Sequence, residues 1–168
     1  MIVTKSDLVA TPEYMSIYDK ELAHIQISIT STDDDLSLKY ENASLISERF
    51  SALLKLYYLG FDVALRLSPF IPEFYDYTYL NAIVPNDVKV IVEFLRINTW
   101  VKRWFDIDFS AYTLKSGGYL HLPLEVKLKA LEGLKFSRMS VCEDVPEHYA
   151  YFRDNFNVNK DDCCNLTF

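Results

Sequence analysis

Arginines late in apolar strand-like runs, a group of C-terminal cysteines and a run of three aspartates are the residues of this sequence best suited to chemistry. Arg66 lies in FDVALRLSPFIP and Arg96 in VKVIVEFLRIN. Successive side chains of a strand point to opposite faces, which sets Arg66 beside Ser68, Arg96 beside Asn98, and Gln26, Ser28 and Thr30 together in HIQISITS. An arginine in a sheet is seldom buried without an anionic partner, and its forked donors suit a carboxylate or phosphate. Two readings stay open: each arginine pairs with a structural acid such as Glu93 or Glu73, or Arg66 and Arg96 join Ser28, Thr30 and Lys5 in a polar ligand pocket.

Cys142, His148, Cys163 and Cys164 are of the types that hold a soft metal. Their spacing contains no C-x-x-C pair, and adjacent cysteines seldom bind one ion together, so no metal site is expected and buried or redox-active thiols are the plainer reading. Cys142 closes a strand-like run beside Glu143 and Asp144. Acidic neighbours raise a thiol pKa, which argues against a thiolate nucleophile. Donation of a hydrogen atom needs no thiolate, and Cys142 is the candidate catalytic residue on that ground. Asp33, Asp34 and Asp35 offer oxygen ligands to a hard cation, but acids directly after a strand more often cap a short helix.

The elements that must position these groups alternate. The sequence predicts a strand end at IVTKS, a helix over 11–22, a strand over 24–31, and a helix over 47–59 with a serine for its N-cap and Gly60 past its end. A strand over 61–70, a helix over 75–84 and a strand over 88–98 follow. Helices over 99–114 and 123–134, separated by a turn at Gly117 and Gly118, lead to a strand over 136–142 and a last helix over 146–155. Trp100, Trp104, Phe105, Phe109 and Tyr112 share a helical spacing and read as core. Alternating strands and helices imply an α/β fold with a parallel sheet, open or an incomplete barrel, and a ligand rim at the carboxyl ends of the strands.

The 168 residues fit a single unit, 1–168, in which 143–168 is a C-terminal extension packed on the rest; at 50% hydrophobic content the core is ample. A formal charge of -7 opposes unaided binding to nucleic acid. No apolar run is long enough to span a bilayer, no signal-peptide pattern opens the chain and the cysteines are odd in number, so the expected location is cytoplasmic. Phosphate-binding, dinucleotide-binding, nucleophile-elbow and zincin motifs are all absent, and His24, His121 and His148 are scattered.

In order, TKS, then QISITSTDDDLSLKYE, then a helix containing Arg49 and ending at Gly60, then FDVALRLSPFIPEFYD, the sequence resembles the radical S-adenosylmethionine superfamily. Within it the chain is most similar to the branch of spore photoproduct lyases and DNA-repair-photolyase-like proteins, and the likeness covers residues 2–76. It implies that Lys5 and Ser28 contact the amino-acid portion of S-adenosylmethionine and that Thr30, Arg66 and Ser68 line the same cavity, with Arg96 added from the strand-face reading. It also implies a partial (β/α) barrel spanning about strands three to six. The family holds a [4Fe-4S] cluster with C-x-x-x-C-x-x-C, and these 168 residues contain no such motif.

The resemblance therefore implies the cofactor- and substrate-binding part of a lyase-like enzyme, inactive alone because the cluster motif is missing. A truncated or split protein completed by a cluster-bearing partner or N-terminal segment is expected. An open edge on the first strand, a liability for any sheet, adds an expectation of oligomerisation. The alternative is a non-catalytic α/β protein-interaction module.

Overall fold

The computed structural model describes residues 1–164. Its frame is a five-stranded, all-parallel sheet in the order β1-β2-β3-β4-β7, with β1 at Ile2–Thr4, β2 at His24–Ile29, β3 at Asp62–Phe70, β4 at Lys89–Phe94 and β7 at Arg138–Val141. Among the described residues the sheet is open, as expected for a partial barrel. A two-stranded antiparallel hairpin, β5 at Leu114–Ser116 and β6 at Tyr119–His121, stands apart from it. The helices are α1 (Pro12–Met15), α2 (Asp34–Leu38), α3 (Ile46–Tyr58), α4 (Tyr77–Ile83), α5 (Val101–Trp104), α6 (Leu124–Leu131) and α7 (Pro146–Asn155). Residues 165–168 of the expected C-terminal extension lie outside the described residues.

Strand parity divides the sheet into two chemically different faces. Ile25, Ile27, Ile29, Val63, Leu65, Leu67, Val90, Val92, Met139 and Val141 are buried in the apolar core, against the Phe50, Leu53 and Leu56 side of α3. The other face carries His24, Gln26 and Ser28 on β2, Asp62, Ala64, Arg66 and Ser68 on β3, Lys89, Ile91 and Glu93 on β4, and Arg138 and Ser140 on β7. Register aligns Ser28, Arg66, Ile91 and Ser140 in one row across four strands. Fully buried parallel strands usually read as continuous apolar runs. A polar second face is therefore the departure that points to function.

Helix α3 locks onto this sheet through an arginine. Ile46, Arg49, Phe50, Leu53 and Leu56 all lie on its buried side. Arg49 is 0% exposed; its Nε donates to Ser44 O at 2.8 Å, its Nη1 to Ser28 O at 3.2 Å, and its Nη2 lies 2.6 Å from Glu41 Oε1. Gly60, at φ 78°, lets the helix end in a Schellman closure, with Gly60 N–H donating to Tyr57 O and Phe61 N–H to Leu56 O. The N-cap is Leu45 rather than a serine: the Glu48 carboxylate accepts its N–H, while Ser47 is held by Asp34. Asp33 accepts from Leu36 N–H and caps α2, so the aspartate run serves helix ends.

Two predicted helices are much shorter than expected. The segment 11–22 keeps only α1, because Ile17 and Leu22, 74% and 81% exposed, find no surface to cover, and a helix of this length needs one. The segment 99–114 keeps only α5. Asn98 Oδ1 accepts from Trp100 and Val101 N–H, whereas Asp108 binds the N–H and hydroxyl of Ser110, a local alternative to helical bonding. Trp100 and Trp104 are accordingly exposed; only Tyr112 of that aromatic series is fully buried. The glycine turn is a hairpin: Gly117 and Gly118 at φ 55° and 82° are the left-handed pair that a two-residue loop requires. β4 ends at Phe94, so Arg96 and Asn98 follow the strand; Ile97 pairs with Leu120 of the hairpin instead.

The outer edge of β7 is covered from within. Asn157 Oδ1 accepts from Val141 N–H at 2.7 Å and its Nδ2 donates to Val141 O at 3.2 Å, imitating a neighbouring strand. No described helix is long and apolar enough to cross a membrane.

Two outcomes follow from the Arg49–Glu41 pair. Arg49→Met leaves Glu41 in a half-dry site short of its buried counter-charge, and chemical denaturation should show a loss of about 3–5 kcal/mol, part of which Glu41→Leu in the same chain restores. Burial alone would raise the Glu41 pKa, but hydrogen bonds from Lys5, Thr30 and Arg49, with the Lys5 charge, outweigh it and hold the carboxyl below its ordinary 4.5. A lowered folded pKa gives stability that is present above 4.5 and is lost as pH falls through the folded value. Glu41→Gln should therefore flatten the acid limb of a stability-against-pH curve below pH 4.5 and leave a lower plateau at neutral pH.

Candidate functional site

The polar face and the carboxyl rim above it are organised around two carboxylates. Glu41, from the loop between α2 and α3, accepts from Lys5 Nζ at 2.5 Å and from Thr30 Oγ1 at 2.7 Å, beside the Arg49 contact already described. Glu93, on β4, accepts from Arg66 Nη2 at 2.6 Å, Ser68 Oγ at 2.8 Å and Arg96 Nη2 at 3.2 Å. Arg66 Nη1 also donates to Gln26 Oε1 at 3.0 Å, and Arg96 Nη1 to Asp144 Oδ2 at 2.7 Å. The Asp144 bond raises the Arg96 pKa, and Arg96 in return holds the Asp144 carboxyl low against the opposing effect of burial.

The structure thus sorts the sequence candidates into two groups. Lys5 and Thr30 gather on Glu41, while Arg66, Ser68 and Arg96 gather on Glu93. Ser28 shares the Arg66 row, and its carbonyl receives Arg49. Of the two acids expected to partner the arginines, Glu93 does so for both; Glu73 does neither. Glu41 and Arg49 were not among the candidates. Their signal in the sequence is Arg49 at a position between Ile46 and Phe50 where the apolar stripe of α3 demands a buried residue.

A further buried polar group is absent from the sequence reading. Lys127, on the inward side of α6, donates to the Glu143 carboxylate and lies 3.1 Å from His148 Nδ1. Burial lowers the Lys127 pKa despite that acid, and burial followed by the Lys127 charge lowers that of His148. His148 is therefore engaged here and away from the cysteines.

Cys142 sits at the end of β7 with its N–H bonded to Val92 O. Its Sγ is 3.6 Å from Cys163 Sγ, and the three sulfurs of Cys142, Cys163 and Cys164 lie within 4.8 Å of one another. The Cys142 thiol is pushed well up, first by burial and then by Cys163; Glu143 and Asp144, the expected cause, act instead on Lys127 and Arg96. Past α7 the chain crosses the polar face, where Gln26 Nε2 donates to Cys164 O at 3.1 Å.

Three spaces adjoin these groups. The one among Lys5, Thr30, Glu41, Pro69 and Phe105 is about 50 Å³, room for water and too small for a nucleoside. The cleft at the carboxyl ends of β3 and β4 is about 360 Å³ and is lined by Ser68, Glu93, Arg96, Asn98 and Tyr119. It shares Asn98 and Tyr119 with a groove of about 740 Å³ that carries Lys102, Arg103 and Lys115. Arg96 stands over the Tyr119 ring at 5.7 Å.

The residues present do not fit a [4Fe-4S] cluster. Each thiolate of such a cluster binds a different iron, which needs sulfurs spread around the cube rather than drawn together as in this trio.

No family model matches the sequence, and no curated protein matches it. Among solved structures the chain is similar to spore photoproduct lyase in three forms: a cysteine-to-serine mutant, a tyrosine-to-phenylalanine mutant and a complex with dinucleoside spore photoproduct. TM-scores are 0.56, 0.56 and 0.57, at 16% identity in each case, covering 83% of this chain and 49% of the other. The chain spans about half the length of those structures. At that identity the likeness is one of backbone architecture alone: the open, parallel α/β fold of this chain is similar to about half of spore photoproduct lyase.

Proposed function

We propose that this chain is the cofactor- and substrate-binding part of a radical S-adenosylmethionine-like, photoproduct-lyase-like assembly, and that it binds S-adenosylmethionine without cleaving it. The observation that carries this reading is the 360 Å³ cleft at the carboxyl rim, large enough for a small polar ligand and walled by Glu93, Arg96 and Tyr119. Ligands of open α/β sheets bind at that rim.

Each wall has a role that its chemistry supports. Arg96, with a side chain 42% exposed, offers donors to a ligand carboxylate, exchanging the exposed Asp144 for it. Glu93 accepts from a ligand ammonium or hydroxyl, and Tyr119, 37% exposed, presents a ring on which an adenine can stack. Ser68 and Arg66 hold the Glu93 carboxylate in place. In this proposal Lys5 and Thr30 order the neighbouring rim instead of contacting the ligand, because the space beside them is too small, and the Ser28 carbonyl seats Arg49. When bound, S-adenosylmethionine would supply radical chemistry only to an assembly that also provides a one-electron reductant. In the proposed assembly that reductant would be held by a segment or partner chain other than these 168 residues.

A second reading is favoured by a specific observation: Lys5, Arg49 and Arg66 already contact the chain's own carboxylates, as structural ion pairs do. On that reading the chain is a non-catalytic interaction module, and its rim cleft receives no nucleoside.

Equilibrium dialysis with labelled S-adenosylmethionine separates the two. One saturable site per chain is expected, weakened at least tenfold, about 1.4 kcal/mol, by Arg96→Ala and by Tyr119→Ala. Absence of saturable binding, or affinity indifferent to both substitutions, removes the cofactor reading in favour of the interaction module. With cofactor bound and dithionite added anaerobically, the chain alone should release no 5′-deoxyadenosine.

A further inference from the structure

Cys142 stands 21 residues before the adjacent pair Cys163 and Cys164, yet all three sulfurs converge within 4.8 Å. Sequence spacing argued against a shared ion because adjacent cysteines usually diverge. Here the fold supplies what spacing does not. Cys142 is fixed by its N–H bond to Val92 O within the sheet. The tail is turned by Asp162, whose Oδ1 accepts from Cys164 N–H at 3.1 Å, and is held against β2 by Gln26. Both adjacent thiols are thereby presented to the end of β7.

We propose that Cys142, Cys163 and Cys164 form a three-thiolate site for one soft d10 metal ion, Zn(II) or Cu(I), which fastens the C-terminal tail across the polar face of the sheet. The separation supports a single ion: thiolates at about 2.3 Å from zinc in tetrahedral geometry stand about 3.8 Å apart. The Cys142–Cys163 distance is 3.6 Å, close to that value and far beyond a disulfide bond of about 2.05 Å. The three cysteines are free thiols. Thiolate sulfur selects Cu(I) and Zn(II) over the hard cations, and three protein ligands leave a position for solvent or a small exogenous ligand.

Binding balances simply. Three S–H bonds break, three metal–sulfur bonds form, and three protons pass to the buffer with no change in oxidation state. Three thiolates and Zn(II) sum to one negative charge, and the positive charge of Arg66 acts on Cys164 in the favourable sense. Each thiol must lose its proton before it can bind the ion, so apparent affinity rises with pH.

The test uses the whole reduced chain and metal alone. Co(II), as a spectroscopic substitute for Zn(II), should give intense thiolate-to-metal charge-transfer absorption that saturates at one ion per chain. Binding of Co(II) should release protons to a pH indicator, and Zn(II) should then displace it with no further release. A parallel Cu(I) titration against a chromophoric chelator tells which ion binds more tightly. Cys163→Ser with Cys164→Ser, both beyond the last helix, should lower the affinity at least a hundredfold while the circular dichroism of the fold is unchanged; His148→Gln should leave it unaltered. Absence of stoichiometric binding of either ion, or equal binding by the Cys163→Ser, Cys164→Ser variant, overturns the proposal. Because no nucleoside enters the experiment, its failure is independent of the cofactor reading.

Discussion

A buried guanidinium holds the carboxyl rim of this fold in place. Arg49 reaches from α3 to the Ser28 carbonyl at the end of β2 and to Glu41, which in turn holds Lys5 after β1 and Thr30 after β2. Helix, two strand ends and a loop meet at one carboxylate. A charge withdrawn from water is costly unless paired, and two further donors on Glu41, Lys5 and Thr30, make the pairing complete enough to tolerate. The arrangement fixes the rim on the β1–β2 side and leaves it closed, with space for water only.

The opposite side of the rim obeys the same electrostatics and reaches a different result. Glu93 also collects two arginines and a hydroxyl, but Arg96 lies beyond the strand and stays half in water. Its second partner, Asp144, is 46% exposed, so exchanging that acid for a ligand carboxylate costs little. The cleft opens here because the β5–β6 hairpin, anchored by Ile97 and Leu120, stands off the sheet and brings Tyr119 over Arg96. One carboxylate therefore closes its side of the rim and the other lines an open cleft, and the difference is solvent exposure.

The polar face itself departs from what a parallel sheet normally presents. Gln26 and Ser140 are fully buried, Lys89 nearly so, and the chain's own C-terminal segment supplies cover where Gln26 meets Cys164. In an open sheet this face would otherwise turn to water. The tail and the thiol trio thus lie against the polar face of the sheet.

The α/β class, the parallel order, the last helix and the polarity of one strand face were legible in the sequence, because period-two and 3.6-residue patterns are local and the strands are long enough to display them. Ser68 beside Arg66 follows from the backbone alone. The two shortened helices were not legible: Trp100, Trp104 and Ile17 have helical spacing, but only the tertiary structure decides whether a surface exists to receive them. Glu41 as the partner of Lys5, Thr30 and Arg49, Glu93 as the partner of both arginines, the Lys127–Glu143–His148 group and the meeting of Cys142 with Cys163 and Cys164 are contacts between distant segments. The sequence determined which groups were available and on which face of a strand they stood; the tertiary structure alone decided who neutralises whom, because charge pairing depends on distance in space and on burial, and neither quantity is local.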